Sequence, residues 1–472
     1  MKLKLFVLMA IMLGLALVAN AQTSRGVVSG VVVDSSNSRI AGASVTLTSP
    51  ETTVSRTATT NDEGFYRFDA VDLGAYTLTI TAPGFGMVTK TNVNVSANQT
   101  SAVDAELQPG GQQVTVDVTA DSGTLLQLEA PVRGGNIATR QITELPVSGR
   151  NPVALALTLP GVSSNRFGFG VGTFSVNGSR GRSNNFLIDG TENNDISVAG
   201  QAFQITNPDA IQEVSVQTSN YDSEFGRAGG AVVNVITKSG TNDFHGTLSY
   251  LLDSTRDDAL TNTQALDTTS VLERNGHPPA GTNQFFSGTI GGPVLLPHFG
   301  EGGSMLGYEG RNRTFFFAAF QEERQLSSGS FSRTVPSAAG AATLLTLFPV
   351  GANPRVDTYL NAISSVRGTA NLFPIALDSG RPSIQFGTGF FSLPVFQKDR
   401  QIQIRIDHKI SDSDQLSGRY LRDSTSLLAT AAFPGFETTQ KNQYQNVQLA
   451  ETHVFSSTFT NELRVAYNRI DL

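Results

Sequence analysis

Catalysis needs titratable or nucleophilic side chains at spacings that let them converge, and this chain offers few. Its five histidines (His245, His277, His298, His408 and His453) are scattered, with no H-E-x-x-H pair to grip a metal from one helix face. There is no cysteine, so there is no thiol nucleophile, no disulfide and no lipidated N-terminus. Neither a G-x-S-x-G elbow nor a phosphate-cradling P-loop occurs. An enzyme is not expected, and neither a cofactor nor a metal site is expected. Asp62 and Glu63 could ligate calcium or a sugar, but beside Gly64 they read more simply as the caps of a tight turn.

What remains is chemistry of pairing. After Pro109-Gly110-Gly111, which breaks the pattern like a linker, comes a short β-branched segment containing Val114, Thr115, Val116, Asp117, Val118 and Thr119. An extended segment on a flexible tether suits strand addition to a partner's exposed sheet edge. It reads equally well as the last strand of the unit before it or the first strand of the unit after it.

The elements that must position such a segment begin with an export signal. Lys2 and Lys4 precede an apolar run from Leu5 to Val18, and Ala19-Asn20-Ala21 forms a cleavage site, so the mature chain is expected to start at Gln22. No later stretch reaches the roughly 18 uninterrupted apolar residues of a membrane-spanning helix. The formal net charge is −7 with no basic block, so no nucleic-acid partner is expected. Charged residues are only 15%, with 46 glycines and recurrent Thr, Ser, Val and Phe, which favours β structure.

Residues 22–108 show short alternating strands: Gly26 to Asp34, with Val27, Val31 and Val33 on one side, then Ala43 to Leu47 and Tyr76 to Ile80. The opening G-x-V-x-G-x-V, Ile40-Ala41-Gly42-Ala43-Ser44-Val45, Asn61-Asp62-Glu63-Gly64-Phe65-Tyr66 and Leu73-Gly74-Ala75-Tyr76 resemble the carboxypeptidase regulatory-like domain. That resemblance implies a transthyretin-like β-sandwich, non-catalytic and close to carbohydrate-binding-like folds. Residues 109–124 are then the linker.

Residues 125–243 carry six further motifs in order. They include Ile142-Thr143-Glu144-Leu145-Pro146-Val147-Ser148-Gly149-Arg150-Asn151, Leu159-Pro160-Gly161-Val162 and Phe174-Ser175-Val176-Asn177-Gly178-Ser179-Arg180. Phe186-Leu187-Ile188-Asp189-Gly190, Asp209-Ala210-Ile211-Gln212-Glu213-Val214 and the run from Tyr221 to Gly240 complete the set. In this order they resemble the plug domain of Oar-like TonB-dependent outer-membrane receptors. Asn177-Gly178 and Asp189-Gly190 are turn dipeptides, and Val232 to Thr237 suits a strand buried on both faces. Arg180, Arg182, Glu213 and Arg227 could pair plug to barrel wall, or be ordinary surface charge.

From residue 244 to 472 the strands lengthen. In Gln401 to Ile410, Ile402, Ile404 and Ile406 alternate with Gln401, Gln403, Arg405 and Asp407. Leu463, Val465 and Tyr467 against Glu462, Arg464 and Asn468 repeat the pattern, giving one lipid-compatible face and one polar face. Seven strands are expected, near 244–251, 284–292, 313–320, 401–410, 414–422, 443–454 and 460–469. The connections 252–283, 321–400 and 423–442 are long, as extracellular loops are, and 293–312 reads as an insertion on the other side. Plugged transporters use about 22 strands, so a partial barrel and a fragment are expected.

The fold class is therefore mainly β: a sandwich, a plug and the first strands of an incomplete transmembrane β-barrel in the cell outer membrane, with the N-terminal domain in the periplasm. The resemblance implies import of an extracellular ligand (glycan, siderophore or peptide). The energy would come from the TonB-ExbB-ExbD complex, with Val114 to Thr119 as the TonB contact and outer-membrane lipid around the barrel. The alternative is an outer-membrane adhesin or structural protein without active transport.

Overall fold

A computed structural model describes residues 25–110, 114–117, 133–147, 150–164, 174–195, 200–221, 225, 228–259, 281–297, 306–363, 366–377, 380–430, 437–456 and 459–471. The expected signal segment, Arg227, Val118 and Thr119 lie outside the described residues.

The N-terminal unit is a sandwich. One sheet is built on β1 (Gly26–Asp34), flanked by β4 (Phe65–Val71) on one side and by β7 (Thr100–Ala102) and β8 (Ala105–Leu107) on the other. The second has the order β3 (Ser55–Thr59), β2 (Ser44–Thr48), β5 (Gly74–Thr81), β6 (Val88–Val95) and β9 (Val114–Asp117). Val28, Val32, Val45, Leu78, Ile80 and Leu107 are fully buried between them. In β1 the core-facing residues are Val28, Gly30 and Val32, whereas Val27, Val31 and Val33 take the half-buried outer side. Strand alternation marks two faces, and only tertiary packing says which is inner.

Gly30 explains why the strand beside β1 breaks in two. A Cβ there would stand 2.2 Å from the carbonyl oxygen of Val103. Without it, the Val103 backbone crosses close to β1, and the Tyr66 hydroxyl donates to that same carbonyl at 2.5 Å. Asp104 then accepts from the Val31 amide at 2.8 Å. In the Asn61 turn, it is Asn61 whose side chain accepts from the amides of Glu63 (3.0 Å) and Phe65 (2.9 Å), with Gly64 at φ +68°. The capping side chain is thus Asn61, not Asp62 or Glu63.

The middle unit is a five-stranded sheet in the order β10 (Arg133–Ala138), β15 (Ile211–Ser219), β16 (Val232–Thr237), β13 (Asn185–Ile188) and β14 (Thr191–Glu192). A helix α1 (Thr139–Glu144) and a hairpin of β11 (Val162–Ser164) and β12 (Phe174–Val176) accompany it. Every residue of β16 is buried, as expected for a central strand covered on both faces. Asp189 and Gly190, both at positive φ, form the two-residue turn between β13 and β14.

The C-terminal unit is one antiparallel meander. Its order is β17 (His245–Ser254), β18 (Thr282–Pro293), β21 (Thr314–Pro336), β23 (Ile384–Lys409), β24 (Asp414–Thr430), β25 (Glu437–Ser456) and β26 (Phe459–Asp471). A hairpin of β19 (Leu295–Pro297) and β20 (Leu306–Glu309) fills the expected insertion. The seven main strands are those expected, but several are much longer: β21 runs 23 residues and β23 runs 26. The stretch 321–400, read as one long loop, holds the extended arms of β21 and β23. It also holds helices α2 (Ala338–Leu347) and α3 (Pro354–Ala362) and strand β22 (Ala370–Ile375). These pack a small core of Val335, Leu344, Leu360, Ile363 and Ile384. Among the described residues, β17 and β26 are the two edges of this sheet, which does not close.

Replacing Gly30 by alanine should overpack the contact between β1 and Val103. A loss of about 1–3 kcal/mol in sandwich stability is expected, measurable as a lower denaturant midpoint for the sandwich transition. An unchanged midpoint would refute the close-approach explanation.

Candidate functional site

The meander is polar where it is covered and apolar where it is bare. Ile402, Ile404 and Ile406 are 37–48% exposed, while the intervening Gln401, Gln403 and Asp407 are 4–7% exposed. In β26, Leu463, Val465 and Tyr467 face outward in the same way. A water-soluble sheet would present the opposite arrangement, and lipid is the solvent that fits this one. Phe315 and Phe317 are buried on the inner side, whereas Phe320 is exposed on the outer. Phe317 and Leu421 join the apolar core of the middle unit, and Tyr444 stacks on Phe203 with ring centroids 4.9 Å apart. The middle unit therefore sits against the inner, polar face of the meander.

Its attachment centres on the Asp189-Gly190 turn. The Asp189 carboxylate accepts from the amide (2.8 Å) and hydroxyl (2.7 Å) of Thr237 on β16. It pairs directly with Arg419 of β24 and lies 3.8 Å from Arg405 of β23. Gln448 of β25 donates to the Asp189 carbonyl at 3.1 Å, and Arg464 of β26 to that of Gly190 at 2.8 Å. Four consecutive meander strands thus hold one turn. Burial opposes ionisation of Asp189, but Arg419, Arg405 and the Thr237 hydrogen bonds outweigh it and hold its carboxyl below the usual range. Arg419 also reaches Thr191 (3.1 Å) and Asn446 (2.5 Å), and Arg405 is fixed by Asp407 at 2.9 Å.

A second set of contacts uses neutral groups. Gln401 accepts from the Thr206 amide at 3.1 Å and donates to the Gln204 carbonyl at 2.8 Å. Gln321 bonds the Thr206 hydroxyl.

Comparisons with known proteins agree with this arrangement. The model of the outer membrane beta barrel domain family matches residues 236–472, that of the TonB-dependent Receptor Plug Domain residues 135–233, and that of the carboxypeptidase regulatory-like domain residues 27–108. The chain belongs to the TonB-dependent outer-membrane receptors. It is 27% identical over 310 residues to the TonB-dependent transporter Oar of Myxococcus xanthus, covering 62% of this chain and 26% of that relative. The chain thus spans about a quarter of the length of this curated relative. Solved structures with looser likeness include a ferric enterobactin receptor from Pseudomonas aeruginosa (14% identity, 71% of this chain and 41% of that one, TM-score 0.39). Another is the siderophore receptor PirA from Acinetobacter baumannii (10% identity, 68% and 45% covered, TM-score 0.33).

As a member of this family the protein is placed in the outer membrane, with its N-terminal plug side toward the periplasm. The middle unit is the plug and the meander is barrel wall. The sandwich docks at the end of the wall that carries the short turns. Asn242, in the plug–barrel connection, donates from its amide to the Glu51 carbonyl at 3.0 Å. Its side chain reaches Thr52, Thr53 and Asn312. Gln415 donates to Asp72 at 2.8 Å. Burial disfavours the Asp72 charge, but Arg25 at 2.9 Å, Gln415, Arg405 and Arg56 bring its carboxyl below the usual range. A cavity of about 550 Å³ lies between sandwich, plug and wall, lined by Arg25, Asp72, Lys238, Arg405 and Arg464 among others.

The structure distributes the residues singled out from sequence. Glu213 is buried and accepts from the Ala97 amide of the sandwich at 2.9 Å, while Asn136 donates to the Ala97 carbonyl at 2.9 Å. It therefore meets the sandwich and not the barrel wall. Arg180 and Arg182 stand exposed beside the buried Gly181. Val114–Asp117 form β9 at the edge of the sandwich. Among the described residues, the charges gathered at the plug–wall turn are Asp189, Arg405, Arg419 and Arg464. Asp189 was legible only as a turn former, and Arg419 only as a position within the strand expected near 414–422. Asp414, Glu451 and His453, from neighbouring strands, come close enough to hold a cation together. Their separation in sequence hides this, because antiparallel pairing across β24 and β25 brings them into proximity.

Two outcomes follow. Asp189→Asn removes the carboxylate paired with the buried Arg419 guanidinium, while Arg405 keeps Asp407, and should weaken plug seating by about 3–5 kcal/mol, read as faster proteolysis of the plug at neutral pH. The ion pair is lost in any case once pH falls below the ordinary carboxylate range, so the two proteins should converge there. Glu213 behaves oppositely: burial raises its carboxyl to about 7 despite hydrogen bonds from Ala97 and Ser96. Between about 4.5 and 7 the folded state holds a proton that the unfolded state has released, so seam stability falls as pH rises through that window. Glu213→Gln should slow exchange of the Ala97 amide relative to wild type at pH 8 and leave it unchanged near pH 4.5; equal ratios at both would refute the assignment.

Proposed function

We propose that this chain is the receptor end of an energised importer: an extracellular ligand engages the outer side of the barrel and plug, and TonB, driven by ExbB and ExbD, pulls on the segment Val114 to Thr119 to rearrange the plug. The observation that carries this reading is how the plug is held. The polar contacts between its central sheet and the wall are densest at the Asp189-Gly190 turn, where groups from four successive strands converge. A plug meant to stay as a structural filler would gain most from apolar packing, because a buried ion pair returns little net stability. Polar fastening, by contrast, can be broken and remade in a water-filled lumen.

The segment Val114 to Thr119 ends only 14 positions before Arg133, where β10, the strand that pairs with β15 in the plug sheet, begins. Tension applied there would therefore be transmitted to the sheet that carries Asp189. The sandwich would act as a periplasmic interaction or spacer module. The residue divisions 22–108, 109–124, 125–243 and 244–472 fit this division of labour.

Removal of Val114 to Thr119 should abolish capture of the purified periplasmic domain of TonB by the full chain, without altering binding at the cell surface. Capture that survives the deletion would disprove the assignment of this segment. Surface binding with no TonB capture in the intact protein would favour an adhesin.

A further inference from the structure

The TonB-contact reading treats Val114 to Thr119 as a free, extended segment, yet its first four residues are already paired. As β9 they form the outermost strand of the sandwich sheet, parallel to β6, with Val88 opposite Val114, Thr89 opposite Thr115, Lys90 opposite Val116 and Thr91 opposite Asp117.

Three features distinguish β9 from the strands beneath it. The sandwich core is built by residues from Val28 to Leu107, and the family match to this module ends at residue 108, before β9 begins. β9 pairs in parallel over four residues, whereas β2, β3, β5 and β6 pair antiparallel with one another, and a parallel ladder is slightly less stable per residue. Finally, the chain is steered to this edge. An isolated bridge joins Phe85 to Pro109, and the Gly86 amide donates to the Gln108 carbonyl at 2.8 Å, so the chain leaves the sandwich at the start of β6.

We propose that the β6 edge, Val88 to Thr91, is a docking surface whose resting occupant is the TonB-contact segment, so that TonB must take the segment from the sandwich. This rests on the reading of Val114 to Thr119 given above and adds what holds the segment before capture. Strand addition needs the backbone groups of the whole segment. A four-residue strand already lying on β6 offers a newcomer only the alternate residues of its open edge. The sandwich and TonB therefore compete for the same backbone, and the sandwich sets how readily the plug is coupled.

The chain contains no cysteine, so Thr89→Cys with Thr115→Cys gives one defined cross-link between positions that face each other across the ladder. The probes are the periplasmic domain of TonB and a synthetic peptide spanning residues 112–120. The peptide should bind TonB. The oxidised double variant should capture TonB at least tenfold more weakly than the same protein after reduction, and TonB added to wild type should expose to exchange those amides of Val88 to Thr91 that point toward β9. A peptide that fails to bind removes the TonB-contact reading itself, and this proposal with it. A peptide that binds, with equal capture by oxidised and reduced protein, overturns only the competition, because TonB would then be adding to the open edge of β9. Failure of the cysteines to cross-link overturns the pairing on which the proposal stands.

Discussion

A carboxylate that stays ionised when withdrawn from water must find its counter-charge in the protein, and Asp189 finds it in the barrel wall. Its own sheet supplies only the two hydrogen bonds from Thr237. The guanidinium groups come from β23 and β24, and the carbonyls of the same turn are taken up from β25 and β26. The wall in turn carries arginines that the plug buries, Arg405 held by Asp407 of its own strand and Arg419 by Asp189. Each part supplies the partner that the other's buried charge requires, so plug and wall are matched to one another even though the pairing adds little net stability. The register of four strands is tied to one turn.

The same mutual dependence shapes the rest of the wall. Its outer face is apolar and exposed because lipid is its solvent, and its inner face is polar and covered because the plug lies against it. Apolar residues of the inner face meet apolar plug surface in one patch, while Phe285 lies under the guanidinium of the plug's Arg150. Phe317 and Leu421 merge with the plug core, and Tyr444 meets Phe203. The lumen is thus patterned in patches, fastened by ions near Asp189, by amides near Thr206 and by packed rings between them.

Much of this architecture was legible because it rests on short-range rules. Alternation exposed the barrel strands, the Asp189-Gly190 dipeptide exposed a hairpin, and the β-branched run from Val232 to Thr237 exposed the central plug strand. What escaped depends on tertiary placement. Val27, Val31 and Val33 share a face, but only the sandwich shows that this face is the outer one. Glu213 looks like any surface acid until the Ala97 turn closes over it. The arms of β21 and β23 were hidden because their alternation fades where both sides of a strand are polar, as in Gln321 to Ser330. The pairing of Val114 to Asp117 with β6 was one of three readings the local sequence allowed, and nothing within those residues could choose among them.

The length of β21 and β23 has a mechanical meaning. Crossing a bilayer takes a tilted strand of about 9–11 residues, so in strands of 23 and 26 residues more than half of the ladder stands clear of the membrane. At about 3.4 Å per residue, that is a paired arm of roughly 50 Å, capped by α2, α3 and their own small core. A molecule approaching from outside meets a stiff mast instead of a wandering loop. The paired backbone has already given up, on folding, most of the conformational freedom that an open loop of that length would keep.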